Sequence, residues 1–370
     1  MPGDQVERVL SLVRKELVQI LRDPRLSRVV FVAPILQSLV FGYAVSTDVR
    51  HTATFVVDHD RGRASRDLVQ AFTASGYFRI VGRSERSRDL ADALDHGSAR
   101  VGIEIPAGYE RALSRAGGAR VQIVFDGTNS NVAAVARGYA EQIVQSRALA
   151  LAGGMTPPVE LRQRAWFNPG LVSRNYNVPA VVGMLLLLLS LLLTSLAVVR
   201  ERELGTLEQL MVSPLSPGEL ILGKTIPFGL VSLFDFMVVM GVAVIWFRIP
   251  FAGNPLLLLL ATVLYLLSTL GLGLLVSTLS NTQQEAFLTT FLVMMPCVLL
   301  SGFMFPVTSM PRGFQWLTLL NPVRHYMEVV RAIFLKGAGL EALWPQFLAL
   351  AVMGPGVLWF ATKRFHKTSR

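Results

Sequence analysis

RERELGTLEQLMVSPLSPGELILGKT, residues 200–225, is a polar stretch that separates two long apolar runs. Residues 181–199 before it are mostly Leu, Val, Ala and Ser, and residues 226–247 after it are again apolar. At about 1.5 Å per residue, each run is long enough to cross a bilayer as an α-helix. The pattern predicts two transmembrane helices joined by a connection much longer than a simple turn.

The connection has the sequence features of a short helix of its own. Gly205 breaks the helix that precedes it, and Thr206 is a suitable N-cap for a second helix over residues 207–212. Pro214 and Pro217 are expected to end that second helix. The stretch is therefore predicted to form a polar, partly helical segment at the membrane surface.

This segment combines charged and apolar side chains. Its charged residues include Glu201, Arg202, Glu203 and Glu208. A charge run alone is typical of a solvated face. However, Leu207, Leu210 and Met211 in the same stretch are expected to be exposed, and an apolar patch rimmed by charge marks an interface. We therefore favour a docking surface for another protein.

Residues 218–225, GELILGKT, also match the nucleotide-binding pattern G-x-x-x-x-G-K-[ST]. That motif requires a buried strand that leads into a glycine-rich loop, whose backbone amides bind phosphate. Here two prolines precede the motif, its middle residues include Leu, Ile and Leu, and an apolar run follows. We therefore interpret residues 219–225 as the amphipathic approach to the next span and expect no ATP binding by this chain.

The overall composition is typical of a multi-span membrane protein. Of the 370 residues, 52% are hydrophobic and 16% are charged, and the mean hydropathy is +0.48. The formal net charge is +10, but the basic residues are dispersed and several flank apolar runs. That distribution sets membrane orientation and does not indicate nucleic-acid binding.

Neither a disulfide nor a metal site is indicated by the sequence. The single cysteine, Cys297, lies within an apolar run, and the five histidines show no metal-ligand spacing. No cofactor or metal is therefore expected in this chain.

The N-terminal segment is predicted to lie along the cytoplasmic membrane surface. In residues 1–28, apolar residues recur at helical spacing, and polar residues that include Lys15 and Glu16 occupy the remaining face. Residues 29–45 are predicted as the first transmembrane helix. The charged leader is too long for a cleaved signal peptide, so this span is interpreted as an uncleaved signal-anchor.

Residues 46–178 change in character from membrane span to soluble domain. Strand patterns alternate with helix patterns, which predicts one α/β domain with its own core. The predicted strands are residues 53–57, 78–81, 100–105, 121–125 and 159–166, and the predicted helices are 64–75, 86–96 and 132–152. Because long domains translocate largely regardless of charge, this domain is placed on the extracytoplasmic side.

Residues 179–362 are predicted to hold five further spans. They cover about residues 180–199, 226–247, 256–279, 286–304 and 342–361. Residues 305–341 are too apolar for a solvated loop and too rich in proline for a span, which indicates a re-entrant segment on the outer side. The basic tail at 363–370 is assigned to the cytoplasm by the positive-inside rule.

The predicted fold is thus a mainly α-helical polytopic membrane protein with six transmembrane helices and an inserted α/β extracytoplasmic domain. An even number of spans places both termini in the cytoplasm, together with residues 200–225.

Six segments carry a resemblance to a known family. They are VVDHDRGRASRDLVQAFTASGYF (56–78), DGTNSNVAAVARGYAEQIV (126–144), WFNPGLVSRNYNVP (166–179), RERELGTLEQLMVSPLSPGELILGK (200–224), SGFMFPVTSMP (301–311) and WLTLLNPVRHY (316–326). Together they resemble the permease subunits of type-2 ABC exporters, in the subfamily with a large extracytoplasmic domain between the first two spans. The resemblance covers essentially the whole chain.

The resemblance implies a division of labour between subunits. The permease carries no ATPase, so a separate ABC ATPase subunit binds ATP, and two permeases, identical or paralogous, surround a central pathway in the bacterial inner membrane. The family's ATPase-docking helix corresponds here to Glu201, Arg202, Glu203, Gly205, Thr206, Leu207, Glu208 and Leu210. The helix at 1–28 would also approach the ATPase, and residues 305–341 would close the pathway. Membrane lipids and a periplasmic adaptor are further partners to test.

Asp235 departs from the family's pattern because it lies near the middle of the third predicted span. An ionised carboxylate at that depth costs roughly 2.5–3.5 kcal/mol on insertion scales. Ser232, Thr225 or a partner helix would satisfy it, or it would be protonated. A structural hydrogen bond and a functional role as an intramembrane polar site both remain open.

The sequence supports two function hypotheses of different classes. The first is an ATP-driven exporter permease that moves an apolar or amphiphilic cargo, such as a drug or a lipid, outward. The alternative is an ion-gradient-driven secondary transporter that uses Asp235, although Asp235 is the only acid deep in a predicted span and inverted hydropathy repeats are absent. A membrane sensor is weaker still, because the short cytoplasmic segments leave no room for a catalytic domain.

Overall fold

The computed structural model describes residues 2–44, 51–113, 118–128, 130–151, 167–168, 172–205 and 216–368. Contacts divide the chain into two compact units. One consists of Met1–Ser46 together with Ala165–Arg370, and the other is Thr47–Arg164.

The helices and strands are numbered in chain order. The helices are α1 (Pro2–Arg22), α2 (Pro24–Phe31), α3 (Ala33–Ala44), α4 (Arg63–Ala74), α5 (Ser87–Asp95), α6 (Tyr109–Leu113), α7 (Ser130–Leu151), α8 (Ser173–Glu203), α9 (Pro217–Gly241), α10 (Pro255–Leu279), α11 (Gln283–Leu299), α12 (Arg312–Thr318), α13 (Pro322–Arg331) and α14 (Leu340–Thr368). The strands are β1 (Thr52–Asp58), β2 (Phe78–Ser84), β3 (Val101–Ile105) and β4 (Gln122–Phe125). π-Helical turns extend α9 through Val242–Trp246 and α13 through Ala332–Lys336.

The unit Thr47–Arg164 is built on a four-stranded sheet in the order β2-β1-β3-β4. β1 runs parallel to β2 and β3, and β4 is antiparallel to β3. Leu68 and Phe72 of α4 and Ala140 of α7 share a core with Ile103 on one face of the sheet. On the other face Leu90 of α5 lies against Gly102, where a Cβ atom would come within 2.7 Å of Leu90 Cδ2.

The predicted elements of this unit correspond closely to the observed ones. The four predicted strands at 53–57, 78–81, 100–105 and 121–125 coincide with β1 to β4, and the three predicted helices coincide with α4, α5 and α7. β4 ends at a turn in which the Thr128 amide and hydroxyl both donate to Asp126 Oδ1, and these bonds hold the pKa of Asp126 below its usual value. The last predicted strand, at 159–166, lies outside the described residues.

The larger unit is a helical bundle with α8 at its centre. α8 and α10 are mainly buried, whereas α14 keeps most of its apolar surface exposed, as a helix that faces lipid would. The Tyr265 ring of α10 stacks on the Tyr326 ring of α13 with centroids 4.2 Å apart. Tyr265 Oη donates to the Gly183 carbonyl of α8 at 3.0 Å, so three helices meet at this pair.

Among the described residues, four helices are long and apolar enough to cross a membrane. They are Ser173–Glu203, Gly218–Trp246, Pro255–Leu279 and Leu340–Arg364. They correspond to the predicted spans at 180–199, 226–247, 256–279 and 342–361. At the two other predicted spans, α3 has 12 residues and α11 has 17.

The predicted span at 29–45 is divided into α2 and α3 at Val32. Pro34 lies in the first turn of α3 and has no N–H to donate to the preceding turn, which accounts for the break. The predicted span at 286–304 ends earlier, at Leu299. Gly302 follows with φ of 79°, a left-handed conformation that ends the helix.

Two prolines act differently from the prediction. Pro179 was expected to precede the second span, but it lies inside α8, which begins at Ser173. Pro217 was expected to end a helix, but it is the first residue of α9, with Ser216 as the N-cap. A first-turn proline costs no hydrogen bond, because the first amides of a helix have no intrahelical acceptor. At the C-terminus, α14 extends through Thr368, so the predicted tail at 363–370 is not separate from the helix.

The segment at 305–341 consists of short helices separated by prolines. Val307–Ser309 is a 3-10 turn, and α12, α13 and the start of α14 follow. α13 begins at Pro322, and the Asn321 side chain accepts a hydrogen bond from the Val323 amide. This broken pattern is the one that the prolines predict.

Candidate functional site

The structure describes the predicted docking stretch at its two ends. Glu201, Arg202 and Glu203 lie in the last turn of α8. Gly205 follows with φ of 70°, a conformation that favours glycine and ends the helix as predicted. The remaining predicted docking residues, Thr206, Leu207, Glu208 and Leu210, lie outside the described residues.

A buried group of charges joins these two ends. The Lys224 side chain of α9 is 3% exposed, and its Nζ lies 2.5 Å from Glu201 Oε2 and 3.3 Å from Glu16 Oε1. Lys15 Nζ lies 3.5 Å from each of the same two carboxylates, but its side chain is 52% exposed. We call these four residues the Lys224 cluster. It connects α1, α8 and α9, and its two cations balance its two anions.

The structure of residues 218–225 can be compared with that of a phosphate loop. Residues 218–225 are helical throughout, within α9, and the described residue that precedes this helix, Ser216, is its N-cap. The Lys224 ammonium group, which would have to reach a phosphate, is held by two carboxylates. The geometry therefore differs from that of a phosphate loop at both essential points.

The N-terminus of α9 has a second connection to α1. The Ser216 amide donates to Glu219 Oε2 at 2.6 Å, and Ser216 Oγ accepts from the Glu219 amide at 3.3 Å, which is a capping box. The other carboxylate oxygen of Glu219 lies 3.1 Å from Arg8 Nη2. α1 is thus bound to α9 at two levels, through Arg8 and through Glu16.

The C-terminus of α8 is bound to the junction between α10 and α11. Arg202 Nη1 donates to the Ser280 carbonyl at 2.7 Å. The Gln283 amide donates to Glu203 Oε1 at 2.7 Å, and the Gln283 side chain donates to the other oxygen of Glu203. Glu201, Arg202 and Glu203 at the end of α8 therefore bond to α9, to the end of α10 and to the start of α11, respectively.

These contacts show what each residue of the charge run bonds to within the chain. Glu201 points inward to Lys224, Arg202 donates to a neighbouring carbonyl, and Glu203 is exposed although bonded to Gln283. Lys224 was not predicted as a site residue, and Glu16 was predicted on the polar face of α1. A lysine at the entrance to an apolar run is a signal that it needs a buried counter-ion.

Asp235 of α9 is fully buried at 0% exposure. Neither of its carboxylate oxygens has a hydrogen-bond partner among the residues that the structure describes, and the same is true of Ser232 Oγ. Thr225 Oγ1 donates to the Ile221 carbonyl of its own helix at 2.7 Å. The expectation that Ser232 or Thr225 would satisfy Asp235 is therefore wrong.

Comparison with known proteins gives the family context of this arrangement. Residues 27–363 match the family model described as ABC-2 family transporter protein. That range covers three of the four candidate spans in the described part of the chain completely and the fourth, Leu340–Arg364, except for its last residue.

Similar curated proteins come from Escherichia coli. The chain is 36% identical over 348 residues to "Probable multidrug ABC transporter permease YbhR", which covers 94% of this chain and 95% of that protein. It is 33% identical over 369 residues to "Probable multidrug ABC transporter permease YbhS", covering 96% and 97%. It is 28% identical over 378 residues to "Inner membrane transport permease YhhJ", covering 97% of each.

Three observations lead to one assignment. The family model matches most of the chain, the relatives are of similar length, and the structure has a bundle of long apolar helices. The chain belongs to the ABC-2 family of transporter proteins and is a type-2 ABC permease, a membrane-embedded transport subunit that is not itself an enzyme and works with an ABC ATPase subunit.

Proposed function

We propose that this permease exports its cargo outward and is driven by the ATPase subunit docking on residues 200–225. The observation that supports this proposal most strongly is the anchoring of both ends of that stretch. Glu201 and Lys224, at its two ends, are bonded to each other and to Glu16 of α1. No cofactor is proposed for this chain, because ATP would be bound by the partner.

The anchoring has a mechanical consequence. α1, α8, α9 and the junction before α11 are held to one another at the base of the stretch. A displacement of the stretch by the ATPase would therefore move several helices together. Transmission of this kind requires discrete packed elements, and a flexible loop would absorb the movement instead.

The proposed cargo is apolar or amphiphilic, either drug-like or lipid-like. Two relatives are named as probable multidrug permeases, which supports a drug-like cargo. The apolar side chains exposed on α9 and α14 are compatible with lipid around the bundle. A second permease, identical or paralogous, would complete the pathway, and a periplasmic adaptor is a further proposed partner.

The proposed topology has six spans, with both termini in the cytoplasm of a bacterium. The unit Thr47–Arg164 would lie outside, and residues 305–341 would form a re-entrant cap on the same side. α2 and α3 together would form the first span, since α3 alone is short. A relative named as an inner membrane permease supports the inner membrane as the location.

Cysteine labelling tests this topology. We expect a cysteine at position 87, made by Ser87→Cys, to react with an impermeant thiol reagent in cells whose outer membrane is permeabilised. Ser213→Cys should react only after the inner membrane is opened. Labelling in the opposite order would show that the proposed orientation is wrong. Cys297, which is partly buried, is replaced by alanine in both variants.

Co-purification tests the docking surface. Leu207→Asp is expected to release the ATPase, because an unpaired charge at the centre of an interface costs several kcal/mol, about 3–5 for a buried one. Leu149→Asp, at a leucine 41% exposed in the other unit, is the matched control and should retain the ATPase. The docking proposal fails if Leu207→Asp co-purifies and transports at the wild-type level.

A second candidate function is secondary transport through Asp235. It is favoured by one observation, the buried carboxylate without a partner among the described side chains. The two functions differ in their energy source. Uptake into inside-out vesicles that requires ATP and survives a protonophore supports the ABC mechanism, whereas uptake that continues without ATP and stops with the protonophore supports the second.

A further inference from the structure

A cavity of about 740 Å³ lies between α13 and the segment that follows α11. It belongs entirely to the helical bundle. Its walls include Tyr176, Arg312, Trp316, Arg324, Met327 and Arg331. Its size is in the range of about 300–1,000 Å³ that is typical of small-molecule sites.

One of the three arginines is bonded to an acid of the same helix. Arg324 Nε lies 3.3 Å from Glu328 Oε1, and Arg324 Nη1 donates to the Gln315 carbonyl at 3.3 Å. The other oxygen of Glu328 accepts from Gln346 Nε2 at 2.9 Å. Glu328 is the only acid among the described residues that line the cavity. Its charge is thus paired with Arg324, and two arginines are left to give the cavity a positive potential.

Arg331 is the more buried of these two arginines. Its guanidinium group lies 3.9 Å from the centre of the Tyr176 ring, and Nη1 donates to the Gly302 carbonyl at 3.1 Å. Nε and Nη2 are buried without a hydrogen-bond acceptor in the described part of the chain. A buried charged donor without an acceptor is costly, so native proteins rarely keep two on one side chain unless they are used. The stacking on Tyr176 holds the group in place.

Arg312 is the second cation. It is exposed at the start of α12, and no ion pair joins it to a carboxylate in the described ranges. Trp316, one helical turn further along α12, and Leu319 also line the cavity, and they are 72% and 42% exposed. The cavity therefore presents cationic donors beside aromatic and aliphatic surfaces.

We propose that this cavity binds the anionic head group of an amphiphile, with Arg331 and Arg312 on the head group and the exposed Trp316 and Leu319 on the apolar part. The head group is a carboxylate, sulfate or phosphate, since guanidinium forks match these planar or tetrahedral oxyanions. This site goes beyond the proposed function, because head-group binding in the cavity needs only the permease and is measured without the ATPase. Loss of ATPase docking would leave it unchanged.

A carboxylate from a second copy of this chain is the competing partner for the two arginines. The concave shape favours a small ligand, because protein interfaces of useful size are broad surfaces of about 800 Å² on each partner. A small ligand and a second copy of the chain predict different effects of substitutions at Arg331 and Arg312, so one experiment separates them.

Fluorescence titration tests the proposal. The full chain without ATPase is placed in nanodiscs of phosphatidylcholine and titrated with dansyl-labelled undecanoic acid, and the signal of empty discs is subtracted. We expect Arg331→Lys to raise the Kd roughly tenfold, because lysine keeps the charge but loses the fork. Arg312→Gln, at an exposed side chain without an intrachain ion pair, should raise it roughly two- to fivefold and leave the fold intact.

The matched controls change either the protein or the probe. Arg248→Gln removes an exposed arginine that does not line the cavity, and its Kd should equal that of the wild type. The methyl ester of the probe lacks the anion, so it should bind more weakly to the wild type and equally to all variants. Equal Kd values for acid and ester, or for the wild type and both cavity variants, would overturn the proposal.

Two further outcomes identify the source of the anion. If phosphatidylglycerol in the discs competes with the probe and the competition requires Arg312, the natural ligand is a lipid head group. If phosphatidylglycerol has no effect while the acid still binds in an Arg312-dependent manner, the ligand is a soluble amphiphile. If the variants dissociate an oligomer and leave probe binding unchanged, the arginines pair with a second copy and the proposal is wrong.

Discussion

Two of the buried charged residues of helix α9, Lys224 and Asp235, lie about three turns apart and have opposite environments. Lys224 is 3% exposed at its side chain and is bonded to Glu16 and Glu201. Asp235 is 0% exposed and neither of its oxygens has a partner among the described residues. The first is part of a neutral cluster that joins three helices, whereas the second contributes no connection within the described chain.

The difference indicates different reasons for keeping a charge in an apolar bundle. A buried ion pair is a poor source of net stability, but removal of one partner is strongly destabilising because it leaves an uncompensated charge. Such a pair fixes which elements lie together. A buried acid without a partner fixes no element, so it is tolerated in its neutral form or kept for a function. Substitutions at Lys224 and its partners test the paired charge, and substitutions at Asp235 test the unpaired one.

The largest effect is expected for Lys224→Met. It leaves Glu16 and Glu201 buried next to each other, with only the half-exposed Lys15 nearby, and should cost about 3–5 kcal/mol of unfolding free energy. The measurement is SDS titration of the protein in mixed micelles. Lys15→Met is the matched control, since Lys15 is 52% exposed and should contribute about 0–1 kcal/mol. Equal losses for the two lysines would show that burial does not distinguish them.

A smaller change is expected when the three buried members of the Lys224 cluster are replaced together. With Glu16→Met, Glu201→Met and Lys224→Met combined, no buried charge is left uncompensated, because the remaining Lys15 side chain is 52% exposed. Apolar replacements of buried ion pairs are often neutral or stabilising by about 1–4 kcal/mol. We expect the triple variant to recover most of the stability lost in Lys224→Met. A triple variant that is less stable than Lys224→Met would mean that the three side chains are needed for shape and not for charge balance.

The sequence predicts the elements of this protein better than their connections. The strands of the smaller unit and four of the long apolar helices lie where their hydrophobic periodicities indicate, because burial of apolar area is a local signal repeated along each element. Prolines were less informative. Pro217 begins α9, since a proline in a first helical turn is as compatible with a start as with a stop, and Pro179 lies within α8, beyond its first turn.

The Lys224 cluster was not predictable from the same signals. Glu16 and Lys224 are separated by 208 positions, and the pairing depends on how α1 packs on α9. Helical periodicity assigned Glu16 to a solvated face because a buried acid and a solvated acid look the same in one sequence. The central docking residues Leu207 and Leu210 lie outside the described residues, so their role stays a prediction.

The smallest effect is expected for Asp235→Asn, which tests the unpaired side of the comparison. The amide has nearly the shape of the protonated acid, and no hydrogen bond from a described residue is lost, so the unfolding free energy should change by less than about 1 kcal/mol. Ser232→Ala, at the neighbouring hydroxyl without a partner, is the matched control and should also be close to neutral. ATP-dependent export should continue in both variants, as measured in inside-out vesicles with the ATPase present. If Asp235→Asn instead costs as much as Lys224→Met, then Asp235 is engaged by a second permease or a residue outside the described ranges. If stability is kept but export is abolished, Asp235 takes part in transport itself, and the ion-coupled mechanism becomes the better explanation of its burial.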